Sequence, residues 1–221
     1  MQKSIAAFLV FGVLVVAVEL WAQMPAANPL ETSIASFAAA DREQAPRAGG
    51  IVFVGSSSIR LWNDLEKQFG PAVVIKRGFG GSKMSDCTRY LDRLVLPHKP
   101  SLVVVYAGDN DLAEGISPRD VLMSFQKFVD GIESELPATR IAYISIKPSP
   151  ARIGLIAKIR ETNQLIQKYT SEKERVEFIE VFTPMLDADG RPRTELFRAD
   201  ALHLNDAGYT LWKSIIERHV H

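Results

Sequence analysis

Cysteine is nearly absent from this sequence: Cys87 is the only one in 221 residues. That excludes an internal disulfide framework and any multi-cysteine zinc or iron–sulfur site. Net charge is absent too, with 26 basic side chains against 26 acidic ones. A chain without excess charge has no bulk electrostatic affinity for nucleic acid or an anionic membrane surface. No internal repeat, low-complexity tract or inter-domain linker divides the chain. What is present, 47% hydrophobic and 24% charged residues, is the make-up of an ordinary soluble globular protein able to bury a substantial core. Composition points to one neutral domain acting on something small.

The first residues stand apart. Lys3 gives a short basic start, Ile5 to Val18 is a nearly pure apolar run, and Leu20-Trp21-Ala22 leads into the polar, Pro-containing stretch Gln23–Pro29. This is the layout of a secretory signal peptide. We expect residues 1–22 to be a signal peptide cut after Ala22, with Ala17 as the alternative, and the protein to be periplasmic or secreted. An uncleaved N-terminal anchor is the competing reading, although a spanning helix needs about 20 apolar residues. Removal takes away Lys3 and Glu19 together, so the exported chain stays neutral. Residues 23–48 then read as a linker with an N-terminal helix over Thr32–Glu43, ended by Pro46 and Gly49-Gly50, and residues 49–221 as the main domain.

Five apolar runs of strand length follow: Ile51–Val54, Ala72–Ile75, Leu102–Tyr106, Ile141–Ile146 and Val176–Val181. Most are continuous rather than alternating, as strands covered on both faces are. Helical patterns separate them. Ile59–Phe69 and Ser85–Leu96 come first, then Ser117-Pro118 opens a helix as N-cap and N1 that runs to about Leu136. Arg152–Tyr169 and Asn205–His219 complete the set. Strand–helix alternation of this kind predicts an α/β sandwich around a parallel sheet. In such sheets ligands bind beyond the carboxyl ends of the strands, which singles out Gly55–Ser58, Gly78–Ser82, Gly108–Asp111 and Lys147–Pro150.

Gly55-Ser56-Ser57-Ser58 offers a nucleophile at the start of a helix, although serines there could equally cap it. Arg77-Gly78-Phe79-Gly80-Gly81-Ser82 fits neither a P-loop nor Gly-x-Gly-x-x-Gly, but such a loop can present backbone N–H groups to an anionic oxygen. Asn110 in Gly108-Asp109-Asn110-Asp111 could add a side-chain donor. In Asp200-Ala201-Leu202-His203 the spacing lets the carboxylate take one imidazole nitrogen and leave the other as a base. His98, between Leu-Pro and Lys-Pro, reads as an exposed loop residue.

These blocks, in this order over roughly Ile51 to Tyr209, resemble the SGNH hydrolases, the GDSL-type esterases and lipases. The resemblance implies a three-layer α/β/α sandwich with a five-stranded, mostly parallel, flavodoxin-like sheet. It implies Ser57 as nucleophile, a register supported by Trp62, and Gly81 and Asn110 as oxyanion donors. It implies Asp200 and His203 as the remaining members of a triad, with Leu204-Asn205 and Gly208-Tyr209 following in the family's manner. One departure stands out: the family's acidic residue before the nucleophile is Ser56 here, so three consecutive serines compete, with Ser56 and Ser58 as fallbacks. The implied chemistry is transfer of the Ser57 proton to His203 during attack on an ester, each oxyanion donor contributing roughly 3–4 kcal/mol, with no metal or organic cofactor.

Competing readings are weaker. An α/β-hydrolase elbow needs Gly-x-Ser-x-Gly, and Ile59 stands where the last glycine belongs. Asp187-Ala188-Asp189-Gly190 lacks the further carboxylates of a calcium loop. A non-catalytic carbohydrate-binding module has no need of an oriented base. Within enzymes, the short chain without a long lid insertion leans toward short acyl groups, acetyl groups on carbohydrates among them. Lysophospholipase, thioesterase or acyltransferase activity on the same fold is the alternative. The expected partner is a small-molecule or glycan ester.

Overall fold

The computed structural model describes residues 29–69 and 73–220. The signal-peptide assignment, residues 1–22, lies outside the described residues, as does Ala72. Among the described residues no helix is long and apolar enough to cross a membrane. The elements are α1 (Pro29–Glu43), β1 (Ile51–Gly55), α2 (Ser57–Arg60), α3 (Leu65–Gln68), β2 (Val74–Gly78), α4 (Met84–Arg89) and α5 (Leu91–Leu94). They continue with β3 (Leu102–Tyr106), α6 (Asp109–Ala113), α7 (Pro118–Glu135), β4 (Arg140–Ile144), α8 (Ile156–Ser171), β5 (Val176–Ile179) and α9 (Asp206–Ile216).

The five strands form one sheet in the order β2-β1-β3-β4-β5, with every neighbouring pair parallel. Its apolar runs are continuous because alternate residues enter two separate cores. Val52, Val54, Val103, Val105 and Tyr143 pack on one side with residues of α1, α4, α5, α7 and α8. Phe53, Val104, Tyr106 and Ile144 pack on the other with Trp62, Leu65, Tyr209 and Trp212. This is the α/β/α sandwich the sequence led us to expect. The order reverses between β1 and β3: the chain leaves β1 outward to β2, then returns to the other side for β3. The gap between these two carboxyl ends is a topological switch point, where doubly wound sheets bind ligands.

Several element boundaries differ from the sequence reading. The Ile59–Phe69 helix is two short helices, α2 and α3, separated at Trp62, whose indole is buried and donates to Gln68 Oε1 at 3.0 Å. The Ser85–Leu96 helix breaks at Tyr90, and a 3₁₀ turn occupies Leu96–His98. Strand β2 continues past Ile75 to Gly78. It is a sheet edge, and edge strands accommodate polar residues such as Lys76 and Arg77. The start of α7 is as read: Ser117 Oγ accepts from the Asp120 N–H at 3.2 Å, with Pro118 next. His98 corrects the sequence reading. Far from being exposed it is buried, its Nε2 3.1 Å from Arg77 Nη2, and Arg77 in turn binds both carboxylate oxygens of Asp41 on α1.

Candidate active site

The parallel register puts Gly55 level with Gly78 on one side and Tyr106 on the other, so the segments after β1, β2 and β3 emerge together. Gly55 has φ +144°, and a Cβ there would meet the Tyr106 carbonyl oxygen at 2.0 Å. Only glycine permits this turn. The chain then bends into α2 with Ser56 as N-cap and Ser57 as its first residue. Ser56 and Ser58 are buried, and their hydroxyls have no protein partner. Ser57 alone is partly exposed, and its Oγ lies 3.1 Å from His203 Nε2.

The other imidazole nitrogen, Nδ1, is 2.7 Å from Asp200 Oδ2. Asp200 Oδ1 accepts the backbone N–H groups of Leu202 and His203, both at 2.9 Å. These bonds, the His203 backbone N–H foremost, then its imidazole and the Leu202 N–H, hold the Asp200 carboxyl well below the usual carboxylate range. The turn is braced from outside. Arg198 N–H donates to the His203 carbonyl at 2.8 Å, Phe197 and Leu204 form an antiparallel bridge, and Ala151 N–H donates to the Ala201 carbonyl at 3.0 Å. Ala201 takes a left-handed φ of +56°, a strain that the surrounding bonds must enforce.

Gly81 sits in a tight turn closed by Ser82 N–H donating to the Phe79 carbonyl at 3.4 Å, with φ +79° and open space around its α-carbon. Among the described residues, neither the Ser57 N–H nor the Gly81 N–H has a protein acceptor. Asn110, on α6, donates one side-chain N–H to the Ser82 carbonyl at 3.0 Å and accepts from Arg152 Nη2 at 2.8 Å. Asp111 turns away from the site, both carboxylate oxygens 3.1 Å from the Met84 N–H.

The structure thus brings Ser57, His203 and Asp200 into one line of contacts and anchors Asn110 to the Gly81-containing loop. Sequence reasoning missed the layer beneath. Lys147, buried at 1% exposure, donates to Asp109 Oδ2 at 2.9 Å and Tyr106 Oη at 3.0 Å, while Arg152 Nη1 approaches the same carboxylate oxygen at 3.2 Å. Burial pushes the Asp109 carboxyl upward, but Lys147 and Arg152 together outweigh it and hold the group below its ordinary value. The available signal was a lysine, Lys147, following an otherwise apolar strand. Cys87 is inert: burial raises its thiol far above the usual range.

A switch-point site of this build on a five-stranded parallel sheet is that of a GDSL/SGNH-type hydrolase. The chain belongs to the GDSL-like lipase/acylhydrolase family, whose family model matches residues 52–211. No curated protein matches it. Among solved structures it is similar to a GDSL-like lipase from Bacteroides thetaiotaomicron, with 20% identity, 85% of this chain and 96% of that chain covered, and TM-score 0.73. It is also similar to an acetyl esterase solved with an acetate ion, at 16% identity, covering 77% and 95%, TM-score 0.63. A family 3 carbohydrate esterase from Clostridium thermocellum is similar at 16% identity, covering 79% and 98%, TM-score 0.59. At these identities the likenesses speak for the fold.

Proposed function

We propose that the protein is an exported serine esterase that hydrolyses carboxylic esters of short acyl groups, acetyl groups on carbohydrates among them, through an acyl-serine intermediate. The observation that carries this reading is the 3.1 Å approach of His203 Nε2 to Ser57 Oγ, with Asp200 on the opposite nitrogen. His203 takes the hydroxyl proton as Oγ attacks the ester carbonyl, and Asp200 fixes the tautomer and stabilises the imidazolium. The free N–H groups of Ser57 and Gly81 and the second N–H of the Asn110 amide receive the oxyanion. Collapse breaks the bond to the alcohol, which leaves with the proton from His203. Water, deprotonated by the same base, then releases the carboxylic acid.

Support for short acyl groups comes from structural neighbours that include proteins named acetyl esterase and carbohydrate esterase. Export rests on the N-terminal sequence pattern.

The purified protein is expected to hydrolyse p-nitrophenyl acetate faster than its octanoate and to be labelled by a fluorophosphonate at Ser57. Undiminished turnover in Ser57→Ala sinks the mechanism, and a preference for long chains sinks the acyl assignment. Mass spectrometry of the N-terminus of protein recovered outside the cytoplasm tests export, a start at Gln23 being expected.

A further inference from the structure

We infer that Arg152 is a positioning residue for the oxyanion site, acting through the carboxamide of Asn110. The inference rests on the ester-hydrolysis reading and adds to it a residue outside the serine, glycine, asparagine, histidine and aspartate blocks.

An asparagine amide can rotate by half a turn with little cost unless its neighbours distinguish oxygen from nitrogen. Here they do. A guanidinium can only donate and a carbonyl can only accept, so Arg152 Nη2 at 2.8 Å fixes Oδ1 and the Ser82 carbonyl at 3.0 Å fixes Nδ2. The amide is left with one N–H to spend. Without Arg152 only the Ser82 contact would oppose rotation.

Arg152 is itself held from behind. Its Nη1 lies 3.2 Å from Asp109 Oδ2, the oxygen that also takes Lys147 and Tyr106 Oη, and the Arg152 side chain is only 15% exposed. Two cations therefore share one buried carboxylate, which leaves an excess of positive charge against the Asn110 carbonyl oxygen. A cation bonded to an amide oxygen draws density from the nitrogen and strengthens the remaining N–H as a donor. That matters most when the acceptor becomes an oxyanion, so the effect belongs to the transition state rather than to substrate binding.

The backbone around Arg152 joins the two halves of the site. Pro150–Leu155 is a 3₁₀ segment in which Arg152 departs from helical geometry, at φ −118° and ψ 26°. The preceding residue, Ala151, donates its N–H to the Ala201 carbonyl inside the Asp200–His203 turn. One short segment thus reaches the base through Ala151 and the oxyanion amide through Arg152.

The test is a double-mutant cycle on p-nitrophenyl acetate. Arg152→Gln is expected to lower kcat by about 10- to 100-fold with KM within about 3-fold, because a transition-state interaction is weakened. In an Asn110→Ala background, itself about 10²- to 10³-fold slower, Arg152→Gln is expected to cost less than about 3-fold more, since its effect runs through the missing amide. Arg152→Lys, keeping the charge but losing the fork, is expected to fall between Arg152→Gln and the unmodified enzyme. Equal losses from Arg152→Gln in both backgrounds, or a loss carried by KM, overturn the inference. A readout free of activity separates this failure from failure of the esterase reading. The Asn110 side-chain amide protons are expected to shift in the NMR spectrum of Arg152→Gln, and an unmoved pair of resonances overturns the positioning role even if another substrate proves to be the right one.

Discussion

His203 Nε2 and Ser57 Oγ stand 3.1 Å apart although 146 residues separate them in the chain. Neither belongs to a strand, yet the sheet sets their meeting. Ser57 follows the carboxyl end of β1, and the His203 turn is tied by Arg198, Phe197 and Ala151 to the layers around it. The contact picks one hydroxyl from three adjacent serines, and it follows that the three should respond differently to removal.

Ser57→Ala is expected to lower kcat by about 10⁴-fold or more, the scale at which loss of a nucleophile is felt. Ser56→Ala and Ser58→Ala are expected to keep most activity and to raise stability by up to about 1 kcal/mol. Their hydroxyls are buried without a protein partner, and removing an unsatisfied polar group recovers its desolvation cost. Ester turnover and thermal unfolding of the three variants check this. A large activity loss in Ser56→Ala with Ser57→Ala unaffected would move the nucleophile.

Asp200 has two tasks that substitution can separate. Its Oδ1 holds the turn through the Leu202 and His203 N–H groups, and its Oδ2 holds the imidazole. Asp200→Asn keeps an oxygen for the turn but puts a neutral amide against Nδ1. It is expected to lower kcat by about 10²- to 10⁴-fold with little change in unfolding temperature. Asp200→Ala frees the turn as well and is expected to lower both. Because the ionised carboxyl is favoured by the native turn, the turn's hold is in place above the ordinary carboxylate range and is lost only as pH falls below it. Equal unfolding temperatures for the two variants would show that Asp200 does not brace the turn.

The sheet and the Asp200–His203 part of the candidate site were legible in the sequence because each rests on local chemistry. Continuous runs such as Leu102–Tyr106 demand cover on two faces, and Asp200 needs only three residues to reach His203. Contacts between distant segments left no such mark. Nothing in Leu-Pro-His-Lys-Pro shows that His98 is buried against Arg77, because the partner that buries it comes from β2. Arg152 read as the start of a helix, and Lys147 as the first residue of a segment beyond a strand's carboxyl end, since their common partner Asp109 lies on α6. Trp62 helped set the serine register, but that its burial divides the helix after β1 depended on packing with Tyr209 and Trp212 of α9.

Arg77 fastens α1 to the sheet and predicts an asymmetry. Its guanidinium is nearly buried, whereas Asp41 remains a quarter exposed. Asp41→Ala leaves a buried cation whose remaining contacts, the Lys76 carbonyl at 3.1 Å, the Phe37 ring and His98, supply no negative charge, and is expected to cost about 2–4 kcal/mol. Arg77→Met removes the buried charge, lets Asp41 return to water, and is expected to cost less. Burial, then the Arg77 charge, lowers the His98 pKa. The unfolded chain thus binds that proton more tightly, and stability falls as pH drops below the ordinary histidine range. Urea unfolding ranks the variants, and limited proteolysis of residues 44–50 reports release of α1. A costlier Arg77→Met would refute the argument.

Asp111 should act on stability in the opposite direction. Burial raises its pKa from 3.8 to about 6, the Met84 N–H bonds only partly offsetting this, with the Asp109 and Asp86 charges adding to the rise. Native Asp111 therefore holds its proton more tightly than the unfolded chain does. Its contribution is most favourable below about pH 4, declines as pH rises to about 6, and is constant above. At 1.36 kcal/mol per pKa unit the decline is about 2–3 kcal/mol. Asp111→Asn cannot titrate, so the stability of the unmodified protein relative to this variant is expected to fall by that amount between pH 4 and pH 7. Taking the difference cancels the carboxylates that do not interact with Asp111. Urea midpoints measured in half-unit steps across this window supply the curve. A flat difference would mean that Asp111 titrates as it does in the unfolded chain, and that the Met84 N–H bonds cancel the burial that opposes them.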